Sequence, residues 1–440
     1  MAIEIPETAV VPDDVAPLTP KQKELVHATE PILREHGVAI TTRMYQTMLA
    51  AHPELKNVFS MSGQASGEQQ KALAGSLVAY SAHIEDLAPL VGVVQRIAAK
   101  HAALGVKPQH YPIVGEHLIG AIVHVLGEAF TPELQDAWYH AYWNLARLFI
   151  ELESEIRAAA PWPGFTTFRI ADKVEESPSI TSFYLEPTDK ELLPLRPYLP
   201  GQYLTVRVWV EALQHFQCRH YTLSDAPDPA HYRITVKRED GVANGDGDAS
   251  PDLPSSSPGM VSNTLHSLPV GSDIQASFPA GTFIIPDPLP SHVIFLSAGV
   301  GITPNLAMLN SLVDLPKVPN ITWIQGARNR VEHVFARHVR GIGEKCGKQF
   351  NEVVFYSRPG PPGPSGDGMG VKRVGKHRPG RVDLKALDRE TLALQDPEAL
   401  YYICGPPAFM SGMVQSLVEL GVANDNIRFE AFAPGEIEMA

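Results

Sequence analysis

His101, in the stretch AAKHAALGVKPQHY, is of a residue type that holds metal ions. It is one of 17 histidines, and a lone histidine on a mostly apolar helix is by itself a packed or surface residue. Its meaning depends on what else could do chemistry. In the C-terminal third, FLSAGVGITP is an apolar strand followed by Gly299, Gly301 and a helix start. Small residues there let a backbone approach a pyrophosphate at a helix N-terminus, although a plain strand–turn–helix reads the same way. Roughly 100 residues later, YYICGPPAFM is a second apolar strand end, followed by Cys404, Gly405, Pro406 and Pro407. Strand ends of an open parallel sheet line its ligand crevice, so the two stretches together point to a dinucleotide.

A third set lies upstream. In RHYTLSD, strand alternation puts Arg219 and Tyr221 on one face, with Thr222 next to them. A cation for phosphate beside an aromatic for a flat ring suits a flavin nucleotide, and an ordinary exposed strand can carry the same residues. Tyr203 in PGQYLTV, the backbone of Gly259 and Ser262 in GMVSNTL, and Phe432 in FEAFAPGE could complete such a site, the last as a cover for the ring.

These residues need elements to hold them. From residue 19 to 160 apolar residues recur at three-and-four spacing, as in KQKELVHATEPILREHGVAITTRMYQTMLAAHP and ELQDAWYHAYWNLARLFIELESEIRAAA. Thr19-Pro20 and Thr131-Pro132 read as helix caps with proline at the first helical position. PWPGF ends the helical pattern and is where the chain would separate into working halves. Over 163–287 short alternating runs between Pro, Gly and Asp turns predict a small antiparallel β-barrel. Over 290–440 strands and helices alternate, which predicts an α/β domain on a parallel sheet. The multidomain order is thus all-α, antiparallel barrel, α/β. The low-complexity loops 243–259 and 359–380 are expected to be mobile, and residues 1–18 to form a flexible arm.

Composition narrows the class. The chain of 440 residues is 44% apolar with no run near the ~20 residues that span a bilayer. A net charge of −13 without long runs disfavours nucleic acid or an anionic membrane as partner. Cys218, Cys346 and Cys404 are isolated, which fits a reducing compartment, and the acidic start lacks a signal pattern. A cytoplasmic monomer is expected.

In chain order, RxY[ST], GxxS, the glycine-rich strand end, CGP and a terminal aromatic resemble the ferredoxin–NADP reductase-like module over about residues 163–440. The helical part, through ITTRMYQTMLAAHPELKNVFSMSGQASGEQQKAL, AAKHAALGVKPQHYPIVGEHL and LFIELESEIR, resembles the globin domain of flavohaemoglobins, so the likeness extends over nearly the whole chain. That resemblance implies haem b, FAD, and NADH or NADPH as cofactors, and nitric oxide dioxygenation, with NO and dioxygen turned into nitrate, as the activity.

The resemblance also implies roles. His101 falls on the proximal haem ligand, Tyr45 and Gln69 on the distal polar pair, Leu73 on the apolar distal residue, and Met44 beside Tyr45 in the haem pocket. Tyr111 and Glu153 fall on the pair that hydrogen-bonds the proximal histidine, and Lys100 and Glu430 on positions that tune redox potential. Gln69 and Leu73, four apart, share a helix face, and His101 lies on a later helix, so two helices can sandwich a haem. FAD would be held by Tyr203, Arg219, His220, Tyr221 and Thr222, with Gly259, Ser262, Glu430 and Phe432. The nicotinamide nucleotide would meet Gly299, Val300, Gly301, Ile302, Thr303 and Pro304, then Cys404, Gly405 and Pro406. In GARNR, Arg328 and Arg330 lie where a ribose 2′-phosphate can be met, or are solvated loop charges. His110 is expected in a loop. The chain departs from the family at Met44, where an aromatic is frequent, at Thr222 for Ser, at Ala431 for Cys and at Ala433 for Gly.

Overall fold

The structure, a computed structural model, describes residues 11, 12, 14–241, 258–358 and 376–432. Most of the two low-complexity loops, residues 1–10 of the expected arm, and Ala433 lie outside the described residues.

Seven helices come first: α1 (Pro20–His27), α2 (Glu30–Ala51), α3 (Met61–Ser66), α4 (Glu68–Ala82), α5 (Val91–Leu104), α6 (His110–Leu126) and α7 (Pro132–Ala159). Both anticipated caps form. Thr19 Oγ1 accepts from Gln22 N at 3.2 Å while Gln22 Oε1 accepts from Thr19 N at 2.9 Å, a reciprocal pair that satisfies two orphan donors. Thr131 Oγ1 accepts from Leu134 N at 3.3 Å. Leu33, Ile40, Met44 and Met48 of α2 pack with Leu77 and Tyr80 of α4, Leu118 and Ile122 of α6 and Trp138 of α7. Gly37 lets α2 and α4 approach closely, since a Cβ there would lie 3.2 Å from Ala74 Cβ. The described end of the arm is docked: Val15 is buried with Ala98, Trp143 and Phe149, and its carbonyl accepts from Arg147 Nη2 at 3.0 Å. His110 opens α6 instead of lying in a loop.

Six strands follow: β1 (Phe165–Ser177), β2 (Ile180–Pro187), β3 (Tyr203–Val210), β4 (His215–Thr222), β5 (Tyr232–Lys237) and β6 (Asp273–Ser277). They pair antiparallel in the order β4-β3-β6-β1-β2-β5, and a bridge from Leu223 to Ile234 joins the two edges. The sheet therefore closes round Phe168, Phe183, Leu204 and Val206, with α8 (Met260–Ser267) against it. Trp162 of PWPGF is buried in that core, 5.7 Å from the Phe168 ring. The break between the helical and strand regions is thus a packed part of the barrel.

The last six strands are parallel: β7 (His292–Ala298), β8 (Asn320–Ala327), β9 (Phe350–Tyr356), β10 (Lys376–Pro379), β11 (Leu400–Cys404) and β12 (Ile427–Glu430), in the order β10-β9-β8-β7-β11-β12. Helices α9 (Ile302–Leu312) and α10 (Ala336–Cys346) cover one face, over Phe295 and Trp323; α11 (Pro407–Glu419) covers the other, over Leu296 and Ile324. Burial on both faces is why these strands read as continuous apolar runs. Strand order reverses between β7 and β11, a switch point where such sheets bind ligands.

A seam joins the helical lobe to the barrel. Phe216 N of β4 donates to Asn57 Oδ1 at 2.9 Å. Gln217, fully buried, accepts from Met61 N at 3.0 Å and donates to Lys56 O at 2.9 Å. No helix among the described residues is long and apolar enough to cross a membrane.

Candidate functional site

His101 sits in the last turn of α5, which stops at Gly105 in the left-handed region (φ 76°). Its Nδ1 lies 2.9 Å from Glu153 Oε1 on α7, and Tyr111 on α6 donates to the same oxygen at 2.5 Å. A carboxylate only accepts, so Nδ1 carries the proton and Nε2 keeps its lone pair for a metal. The 3.3 Å approach of Tyr111 to Nδ1 is a contact between two donors, since the Tyr111 proton is committed to Glu153. Burial, then Glu153, pushes the Tyr111 hydroxyl up, so it stays protonated. Glu153 is fully buried, and Arg157 one turn on approaches its other oxygen at 3.4 Å. A third of the His101 side chain is open. Among the described residues no three His, Cys, Asp or Glu gather to hold a bare ion. His101 therefore suits a metal that brings its remaining ligands with it, as a porphyrin does.

Tyr45 of α2 is buried with Phe59 edge-on at 5.6 Å, and burial raises its hydroxyl pKa, so it remains a donor. Met44 is buried in the helical core, and Leu73 packs half-buried on the same core. Gln69 is bonded to Gln64, whose Nε2 lies 2.7 Å from Gln69 Oε1. Thr41 Oγ1 on α2 donates to Gln70 O on α4 at 2.9 Å, tying the two helices together.

In the barrel, β3 and β4 pair Tyr203 with Thr222, Leu204 with Tyr221 and Thr205 with His220. The buried Tyr203 hydroxyl has no partner, which fits a site that receives a polar group. His220 lies 4.6 Å ring-to-ring from Tyr203, with Nδ1 2.9 Å from Thr205 Oγ1. Burial, with Lys100 and Arg219 nearby, pulls it down to about 3, so it is neutral. Arg219, expected to face phosphate, bonds Cys218 O at 2.6 Å and Ser62 Oγ across the seam. Lys100 Nζ reaches Glu430 Oε1 at 3.9 Å, from α5 to β12. Gly259 must be glycine, since a Cβ would lie 2.9 Å from Glu239 Cβ; the Ser262 hydroxyl is spent on this turn, donating to Gly259 O at 3.1 Å. Phe432 is 47% exposed.

At the switch point Gly299 is left-handed (φ 56°), and a Cβ on Gly301 would lie 2.4 Å from Cys404 O. The two glycine stretches, far apart in sequence, thus touch. Thr303 Oγ1 turns back to Val300 O at 3.1 Å. Ile302, Thr303 and Pro304 are buried at the start of α9, and Pro406 opens α11. The Cys404 thiol is buried and pushed well up by burial, so it is inert. Arg328 and Arg330 are exposed beyond the end of β8, one strand away from the Gly301–Cys404 contact.

Sequence reasoning missed Arg157, Ser62, Thr205 and the glutamines Gln64 and Gln70. Arg157 was findable, four residues after Glu153 on one helix. The others meet their partners across elements, and nothing local announces them.

Family models match in two places: Globin over residues 42–147, and Oxidoreductase NAD-binding domain over residues 295–415. The chain is 42% identical over 427 residues to the flavohemoprotein of Bordetella pertussis, covering 96% of this chain and 100% of that one. It is 41% identical over 427 residues to that of Deinococcus radiodurans, covering 95% and 98%. Its structure matches the crystal structure of the Malassezia yamatoensis flavohemoglobin with bound FAD and heme at a TM-score of 0.79 and 27% identity, over 95% of this chain and 100% of that one. The likeness runs through helical lobe, closed sheet and parallel sheet without a break, and the chain belongs to the flavohemoprotein family of oxidoreductases.

Proposed function

We propose that the protein is a nitric oxide dioxygenase, with haem b at His101, FAD on the β3–β4 face, and NADH or NADPH at the β7–β11 crevice. Two NO and two dioxygen become two nitrate ions as one NAD(P)H becomes NAD(P)+ and a proton. The redox steps, in which a hydride's two electrons reach the iron singly by way of the flavin, are what these groups supply when bound. The observation that carries the reading is the convergence of Tyr111 and His101 on one Glu153 oxygen.

The chain's own residues divide the remaining work. Glu153 holds the His101 tautomer and gives the imidazole anionic character, which favours electron donation to a metal at Nε2. Tyr111, by donating to Glu153, keeps that carboxylate in place. Tyr45 offers a protonated hydroxyl from an apolar wall, Gln69 assists, and Leu73 with Met44 keeps the pocket narrow and apolar, which suits small uncharged gases. Arg219 uses two bonds on Ser62 and Cys218, so three of a guanidinium's five N–H groups remain for phosphate. When FAD is bound, Tyr221 would offer an aromatic face to its ring, Thr222 a hydroxyl, and Phe432 a cover. The backbone between Gly299 and Pro304 would hold the pyrophosphate of the nicotinamide nucleotide, and Arg328 with Arg330 would meet a 2′-phosphate. Domain limits of 19–160, 163–287 with Trp162 added to the barrel, and 290–440, a monomeric state, the cytoplasm and protection against nitrosative stress complete the reading. Neither nucleic acid nor a stable membrane contact is part of it.

The deciding assay uses purified protein loaded with haem and FAD. NADH oxidation should become NO-dependent in air and yield nitrate. NADH oxidation indifferent to NO would leave a reductase for another acceptor, and NO binding without turnover would leave a sensor.

A further inference from the structure

Three glutamines of α3 and α4 form a chain whose direction is fixed by a main-chain atom. Gln70 is buried, and its Nε2 lies 3.1 Å from the carbonyl oxygen of Gln64. A main-chain carbonyl only accepts, so this end of Gln70 is its NH2 group. The same Nε2 lies 2.9 Å from the Gln64 side chain, which must therefore present its Oε1. The other end of Gln64 is then NH2, and it lies 2.7 Å from Gln69, which must present its own Oε1. The NH2 of Gln69 is left as the available end.

The arrangement carries a cost that shows it is constrained. Gln70 Oε1 is buried with no partner, because both uses of Gln70 lie on its nitrogen side. The frame is also anchored at both ends. Gln70 O accepts from Thr41 of the Tyr45 helix at 2.9 Å, and the first residue of α3, Met61, is held by Gln217 across the seam. Gly63 keeps α3 tight against Gln69, since a Cβ there would lie 3.1 Å from Gln69 Cγ.

We infer that Gln64 is a positioning residue that orients the Gln69 amide, so that Gln69 enters the distal pocket as a donor and not as an acceptor. This rests on Gln69 being a distal residue, as proposed above. A donor there favours a ligand that gains negative charge, and an acceptor repels it.

The test uses the full haem- and FAD-loaded protein, with carbon monoxide as vibrational probe and oxygen release as kinetic probe. Gln64→Glu offers only acceptors, which turns Gln69 round. Its C–O stretch should move to higher frequency, and oxygen release should speed up by roughly tenfold, following Gln69→Leu. Gln64→Lys keeps a donor opposite Gln69 Oε1 and should rescue both readouts, an outcome that general damage to α3 would not give. If Gln64→Glu cannot be loaded with haem, Gln70→Leu serves, because it frees Gln64 to adopt either orientation and should split the C–O band in two. A wild-type stretch in Gln64→Glu, or a single wild-type band in Gln70→Leu, with Gln69→Leu shifted, overturns the positioning role alone. An unshifted Gln69→Leu overturns the distal placement of Gln69 and the inference with it.

Discussion

At His101 a single carboxylate decides which nitrogen is free. Glu153 accepts from Nδ1–H and leaves Nε2 with its lone pair, so His101 offers one nitrogen to a metal. His101→Ala should abolish or scramble the haem spectrum while FAD stays bound, because the barrel residues are untouched; an unaltered haem spectrum would reject the assignment. Tyr45 offers the complementary case. Its hydroxyl is buried among apolar side chains, where one hydrogen bond to a partly anionic ligand atom contributes about 1.5–3 kcal/mol. Tyr45→Phe keeps the ring and its edge contact with Phe59. Oxygen release from the ferrous protein should rise by roughly one to two powers of ten. Anaerobic bleaching of the flavin by NADH should keep its rate, and a slowed bleach would place the effect in the reductase instead.

Among elements, the turn after β7 and the end of β11 meet backbone to backbone. A methyl group on Gly301 would sit inside van der Waals contact with the Cys404 carbonyl, and backbone cannot rotate away as a side chain can. Gly301→Ala should push the two strand ends apart at a cost of about 1–3 kcal/mol. The expected reading is a KM for NADH higher by roughly one to two powers of ten, with haem and FAD content unchanged. Equal loss of FAD would mean that the strain spreads into the barrel. What was legible in the sequence follows the same divide between local and distant. Thr19 and Thr131 act within one turn, and both caps were readable. The alternation of apolar runs such as β7 and β11 with helices announced a parallel sheet. That β11 lies beside β7 and not beside β10 depends on pairings roughly 100 residues apart, which no local pattern encodes; the closure of the barrel by Leu223 and Ile234 is similar. In the site, His101 and the glycines drew notice through residue type and motif. Gln64, Gln70 and Ser62 are ordinary polar residues until their elements meet.

For the whole molecule, the division into halves is real in topology and incomplete in packing. A fragment ending near residue 160 should hold haem and bind oxygen without turnover. The reductase fragment should begin at Pro161, because Trp162 stacks near Phe168 and Tyr232 in the barrel core. Started at Pro163, it should be less stable by about 3–5 kcal/mol and lose FAD more readily; equal FAD retention by the two fragments would deny Trp162 that role. Acid should loosen the full chain early. Burial holds His110, His220 and His333 near 4, 3 and 4, against 6.5 when unfolded. As pH falls below 6.5 the unfolded chain takes protons that the folded one refuses, so stability declines toward pH 4. Glu352, raised by burial to about 7 from 4.5, works in the opposite sense and offsets part of the loss between those values. Urea midpoints between pH 7 and 4.5 should fall, and His333→Gln should make the fall shallower; a flat or rising profile would contradict the histidine account.

The seam between β4 and residues 56–62 has a consequence for exchange between relatives. Gln217 and Asn57 are each complete only through the other lobe, one through a buried amide and one through the N–H of Phe216. A chimaera that grafts a foreign helical lobe onto this reductase keeps the peptide junction near residue 160 and still breaks these bonds. Lobes of this family should therefore be interchangeable as matched pairs of surface, with residues 56–62 and 216–219 travelling together, and inheritance of the two lobes should be coupled at a place far from where they are joined.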